Sequence, residues 1–217
     1  MKHFCLSLLC LFWVGFSPVF AQDKGYKVGF YGAYNQHPII ESNKQLSSGG
    51  RWVKGSAFIT TIKNSSLKEG SKINCNIGLS VERCNDGPLD YFFDVLIKTT
   101  DFGNLNVFKD SPLLIKLSNG DVIRLKCRDD VADKIGQVVS VMYNVTLYSV
   151  IAQYQISSAD IDRFKNGVVK VRFEANAEKW DFDFRRHKKD ELGEFLYKEK
   201  ALITGALNNQ TDFDEDF

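Results

Sequence analysis

Carboxylates are the side chains in this sequence best suited to do chemistry. A pair of them can cleave a glycosidic bond, one protonating the leaving oxygen while the other attacks or activates water. The candidates are Glu82, Asp94, Glu174, Asp181 and Asp183. Asp94 stands out because it interrupts the strongly apolar run 91–97. Strand alternation nevertheless puts it on the face shared with Lys98, where a solvated face or a cross-strand ion pair accounts for it. Aromatic rings supply a second chemistry, since flat apolar surfaces with a polar tip stack on sugars. Trp52, Trp180, Tyr31, Tyr34 and Tyr91 are of this kind, weighed against a place in the core. Trp180 beside Asp181 and Asp183 is the sharpest combination, so the ligand-binding candidates are Trp180, Asp181, Asp183, Trp52 and Asp94.

Other reaction types find no footing. There is no phosphate-binding glycine loop, no His-Glu-x-x-His and no Gly-x-Ser-x-Gly. His37 and His187 each stand alone, so neither a metal site nor a nucleophilic triad is suggested, and no residue is assigned a catalytic role. No cofactor is implied. Residues 185–189 form the one dense basic run, which suits a solvated linker or a contact with anionic partners. Asp212, Asp214 and Asp216 imitate the start of a calcium loop but lack its glycine and closing glutamate. Asn64, Asn144 and Asn209 begin Asn-x-Ser/Thr triplets that chance explains.

The first residues speak to location. Lys2 and His3 precede an apolar run over 4–16, and Val19 and Ala21 are residues that signal peptidase reads before its cut. This predicts a signal peptide over 1–21, cleaved between Ala21 and Gln22, and a periplasmic or extracellular address. The run is too short to span a bilayer, and nothing later is long and apolar enough, so the mature chain has no expected transmembrane anchor. Losing the leader removes one of the 28 Lys and Arg and none of the 27 Asp and Glu, leaving no formal net charge. Nucleic-acid binding, which needs a basic excess, is not expected.

Cys75, Cys84 and Cys127 remain after the leader. Cys75 alternates with Ile73, Ile77, Leu79 and Val81 and reads as inward-facing. On a continuous strand Cys84 would lie about 30 Å away at roughly 3.3 Å per residue, which excludes a bridge between them. Free buried thiols suit Cys75 and Cys127, and a Cys84–Cys127 disulfide at strand ends is the sharper option.

The elements that must position these residues are strands. Alternating sets occur at Tyr26, Val28, Phe30 and Tyr34, over 52–62, from Cys75 through Val81, and over 91–98. Residues 113–117 and 121–127 flank Ser118, Asn119 and Gly120. A three-residue loop with Gly120 left-handed sets Ile115 opposite Ile123 and Leu113 opposite Leu125, keeping one face apolar and turning Cys127 to it. Residues 138–156 read as one long strand whose phase switches near Ser149, as a bulge would produce. Ser157 and Ser158 cap a short helix closed by Asn166 and Gly167, followed by strands over 168–174 and 180–184. From Asp190, a helix carries the stripe Leu192, Phe195, Leu196, Leu202, Ile203 and Ala206.

The expected fold is a mainly β, antiparallel β-sandwich with a short helix and a C-terminal amphipathic helix. It forms a single domain over 22–207, with strands about 26–186, a helix about 190–207 and an acidic disordered tail over 208–217. Roughly 190 residues suffice to bury such a core. The hairpin over 113–127, the tract 154–165, the strand over 167–173 and the closing helix together resemble short exported proteins of Bacteroidetes-type bacteria with no assigned activity. That resemblance implies a bacterial envelope address and carries over no functional residue. The function expected is an exported non-catalytic binding or structural protein of the cell envelope, its partner a protein or a polysaccharide. The alternatives are a carboxylate-dependent glycan hydrolase and, second, an outer-membrane β-barrel.

Overall fold

A computed structural model describes residues 37–62, 73–85, 87–99, 105–132, 137–140, 145–176, 178–184 and 187–208. The leader with its Ala21–Gln22 cut, the strand set at 26–34, the acceptor residues Asn64, Asn144 and Asn209, and Asp212, Asp214 and Asp216 of the acidic tail lie outside them. Thirteen strands are described: β1 (Ile40–Gln45), β2 (Arg51–Gly55), β3 (Phe58–Ile62), β4 (Ile73–Arg83), β5 (Leu89–Thr99), β6 (Asn106–Val107), β7 (Pro112–Leu117), β8 (Val122–Lys126), β9 (Val131–Ala132), β10 (Gln137–Ser140), β11 (Val145–Ile156), β12 (Val168–Ala175) and β13 (Glu178–Asp183). Helix α1 (Ser158–Asp162) continues as a 3-10 turn (Arg163–Asn166), and α2 (His187–Asn208) follows β13.

All strand pairs are antiparallel. One sheet runs β1-β2-β4-β5-β11-β10, with β3 also on β4; a second runs β13-β12-β7-β8; β6 and β9 pair alone. The described strands close into no barrel, as the outer-membrane reading would require, and no described helix is long and apolar enough to cross a membrane. Alternation decides which side chains face inward. Cys75, Ile77, Leu79 and Val81 of β4 and Phe93, Val95 and Ile97 of β5 meet Leu113, Ile115, Ile123, Phe173 and Phe182 of the second sheet in one continuous core. Leu192, Phe195, Leu196, Ile203 and Leu207 add the buried stripe of α2 to it. Leu202, expected in that stripe, is exposed.

The hairpin register is as the apolar pattern dictates: Ile115 pairs with Ile123 and Leu113 with Leu125, Gly120 has φ +93°, and Cys127 is buried. Ser157 caps α1 through a 3.0 Å bond from the Asp160 N–H. Three expectations need correction. Residues 138–156 are two arms of a hairpin, β10 and β11, rather than one bent strand, and Ser149 sits in regular register opposite Lys98. The phase switch near Ser149 falls inside β11, where the pairing with β5 runs on without a bulge, and the break between the two strands comes earlier, between Ser140 and Val145. The segment 52–62 is likewise two strands, β2 and β3, both on β4 and parted at Ser56 and Ala57. Finally, the Cys84–Cys127 bridge does not form: all three described cysteines are free, Cys75 and Cys127 buried as expected. Cys84 is exposed on the β4 side, whereas Cys127 bridges Tyr154 beyond β5 and β11. Three strand spacings of about 4.8 Å separate them, well beyond disulfide reach.

Candidate functional site

The residues singled out from the sequence do not converge. Trp180 is buried, stacked on Phe173 with its indole N–H donating to the Ala175 carbonyl, so its ring is not offered to a ligand. Asp181 and Asp183 point outward on β13 and are taken up by ion pairs. Arg172 Nη2 meets Asp181 Oδ2 at 2.7 Å, and Lys170 reaches Asp181 at 3.3 Å and Asp183 at 3.1 Å. These cations hold the Asp181 carboxyl below the usual carboxylate range, Arg172 contributing most. Trp52 is half-buried and in register with Glu82, which in turn faces Asp90.

Asp94 is the surprise among them. It is buried rather than solvated, accepting from Gln153 Nε2 at 3.0 Å through Oδ1, while Oδ2 has no hydrogen-bond partner among the described residues. Burial pushes its carboxyl up to about 6, against the opposing help of Gln153 and Ser80. Close by is a residue the sequence reading passed over. Glu199 of α2 is fully buried with neither carboxyl oxygen hydrogen-bonded by the described residues. Its position has a backbone cause. Between the β2 and β3 pairings, Gly78 and Leu79 of β4 have no partner on that side, and the Glu199 carboxyl occupies this gap. A Cβ at Gly55 would fall on the carboxyl, only 2.6 Å from Cγ, and one at Gly78 would lie 3.4 Å from Oε1. Gly78 pairs with Asp94, so the two acids flank it. Desolvation raises Glu199 well above the carboxylate range, with Asp94 and Glu41 adding to the rise; only Lys54 and the nearby Leu79 N–H, which makes no hydrogen bond of normal geometry to it, favour its charge. The signal was present: 192, 195, 196, 199 and 203 share one helical face, and Glu199 is the charged member of an apolar stripe.

Concave surface lies elsewhere, where the two sheets part. A cleft of about 750 Å³ opens between the start of β5, the end of β11 and the end of β8. Leu89, Tyr91, Leu125 and Ile156 give it apolar walls, and Gln155, Ser157 and Ser158 give it amide and hydroxyl groups. Its charge comes from Lys109, Arg124, Lys126 and Arg128 against Asp90 and Asp110. Arg128 lies 4.7 Å over the Phe92 ring and 3.3 Å from Glu82, which fixes its direction. Lys126 and Asp110 are 4.0 Å apart and mostly exposed, a pairing worth little. Lys109 and Arg124 form no ion pair among the described residues, leaving two cations free at the mouth of the cleft.

No group of three or more metal-ligating side chains occurs among the described residues. No protein-family model, curated protein or solved structure matches the chain.

Proposed function

We propose that this is an exported, non-catalytic binding protein of the cell envelope, and that its cleft takes an acidic polysaccharide. The observation that carries the reading is the lining of that cleft, with uncompensated Arg124 and Lys109 beside sugar-compatible hydroxyl and amide groups over apolar walls. Carboxylate or sulfate groups on a glycan would meet the cations, and ring faces the apolar walls. The export part of the reading rests on the leader pattern over 1–21. The hydrolase alternative is less well supported, because Asp94 is buried and Asp181 and Asp183 are engaged by Lys170 and Arg172, away from the cleft.

Titration of the protein with an oligogalacturonate tests the reading. Arg124→Glu should weaken binding about tenfold or more, and salt should weaken wild-type binding, because an exposed charge contact is screened. Equal affinity in wild type and variant would overturn the cleft as the site. Release of shortened sugars, lost in Asp90→Asn or Asp110→Asn, would replace binding with hydrolysis.

A further inference from the structure

Helix α2 connects the buried acid to the cleft. It carries Glu199 into the gap between β2 and β3, and its neighbouring residues hold two of the cleft's walls. Lys200 Nζ donates to the Ser158 carbonyl at 3.0 Å and to Asp162 Oδ1 at 2.6 Å. One turn further on, the Thr204 hydroxyl and the Tyr91 hydroxyl are hydrogen-bonded at 2.9 Å. Ser158 and Tyr91 both line the cleft.

We infer that Glu199 is a proton-operated latch: its neutral acid lets α2 dock and brace Ser158 and Tyr91, and its ionisation loosens α2 and the cleft together. The consequence for ligand rests on the reading of the cleft given above, whereas the latch itself does not.

The groups around Glu199 favour a proton there. Asp94 faces it from β5, Glu41 from β1, Lys54 from β2 and the Leu79 N–H from β4. Lys54 is already held by Glu41 at 2.8 Å, so two acids besides Glu199 share one ammonium. On α2 itself Lys198 pairs with Glu194 at 2.6 Å and Lys200 with Asp162. Of the cations on the other elements packed on α2, Arg163 pairs with Asp160 and Asp121, Lys170 and Arg172 pair with Asp181, and Arg83 bonds Asn208 at the far end of α2. An ionised Glu199 would be a buried charge without a cation of its own, and such a charge escapes to water by local opening. By reciprocity, a ligand that needs the braced cleft must favour the protonated latch.

Amide hydrogen exchange of the full chain, corrected for the intrinsic rate, tests this between about pH 5 and 8. Protection of α2 should fall as pH rises in the wild type, at up to about tenfold per unit while Glu199 is protonated when closed, the signature of one proton lost on opening. Protection of α1 should fall with it, and in Glu199→Gln both should stay level above about pH 6, where the titration of Asp94 is largely over. Asp94→Asn serves as a second variant. It removes an opposing charge, so the loss of protection levels off at lower pH. A Glu199→Gln protein that loses protection as the wild type does would overturn the latch. Loosening of α2 with α1 unchanged would overturn its link to the cleft. An oligogalacturonate that fails to bind while exchange behaves as stated would overturn only the reading of the cleft.

Discussion

The carboxylates on the outer face of the four-stranded sheet and those at the gap in the seven-stranded sheet are the same chemical group held under opposite conditions. Asp181 and Asp183 sit opposite Arg172 and Lys170 on neighbouring strands, and their side chains are a third to a half exposed. Water and cations share their charge, and neither fold nor solvent is strained by it. Asp94 and Glu199 are buried, with orphaned oxygens and a single ammonium already shared by Glu41. Attraction between exposed partners is nearly offset by screening and entropy. Desolvation of a buried acid is not offset, so the group holds its proton to higher pH than an exposed acid does, Asp94 to about 6. The first region should tolerate change with little effect, while the second is where stability should respond to pH.

The comparison breaks most sharply at Gly55. Gly55→Val places side-chain carbons where the Glu199 carboxyl sits, and should cost more than about 3 kcal/mol, at the upper end for overpacking, read from the urea midpoint. An unchanged midpoint would mean that α2 is not seated in the gap. Asp94→Asn comes next. The folded carboxyl at about 6 lies above its usual 3.8, so its stabilising contribution is complete below pH 3.8 and is lost as pH rises towards 6. The wild type should therefore lose about 3 kcal/mol across that window that the Asn variant keeps. Unfolding curves at several pH values read this, and parallel profiles would refute it. The smallest effect belongs to Arg172→Met. Asp181 is held below its usual range, so its contribution is present at neutral pH and fades only as acid protonates it. Because the pair is partly exposed, the loss should stay under about 1 kcal/mol and shrink with added salt. A larger, salt-insensitive loss would place that ladder in the same class as the buried acids.

Much of the sandwich can be read without coordinates. The register over 113–127 follows from keeping one face apolar with a left-handed glycine at the turn, and the observed Ile115–Ile123 pairing is that register. Cys75 faces inward because Ile73, Ile77, Leu79 and Val81 share its period-2 face. Where the pattern misleads, two elements look like one. The breaks at Ser56–Ala57 and within 138–156 carry no proline and no strong turn pair, so alternation alone cannot separate them. The acids show the same division. Asp94 is conspicuous within an apolar strand, but the burial of its face depends on Gln153 and Ser80, one strand away on either side. Glu199 lies between two lysines and passes for a solvated residue until its place in the stripe of α2 is noticed.

By itself, then, the sequence determined what depends on near neighbours: strand faces, the tight hairpin, the capped α1 and the stripe of α2. Period-2 and period-3.6 patterns are local properties of the backbone, and a misplaced register would expose every apolar side chain at once. Only the tertiary structure decided which charges meet partners. Lys200 reaches Asp162, Thr204 reaches Tyr91, and Glu199 enters a gap framed by Gly55 and Gly78, all across long stretches of chain. Electrostatic energy depends on distance and on the loss of water, and neither is set until distant segments pack.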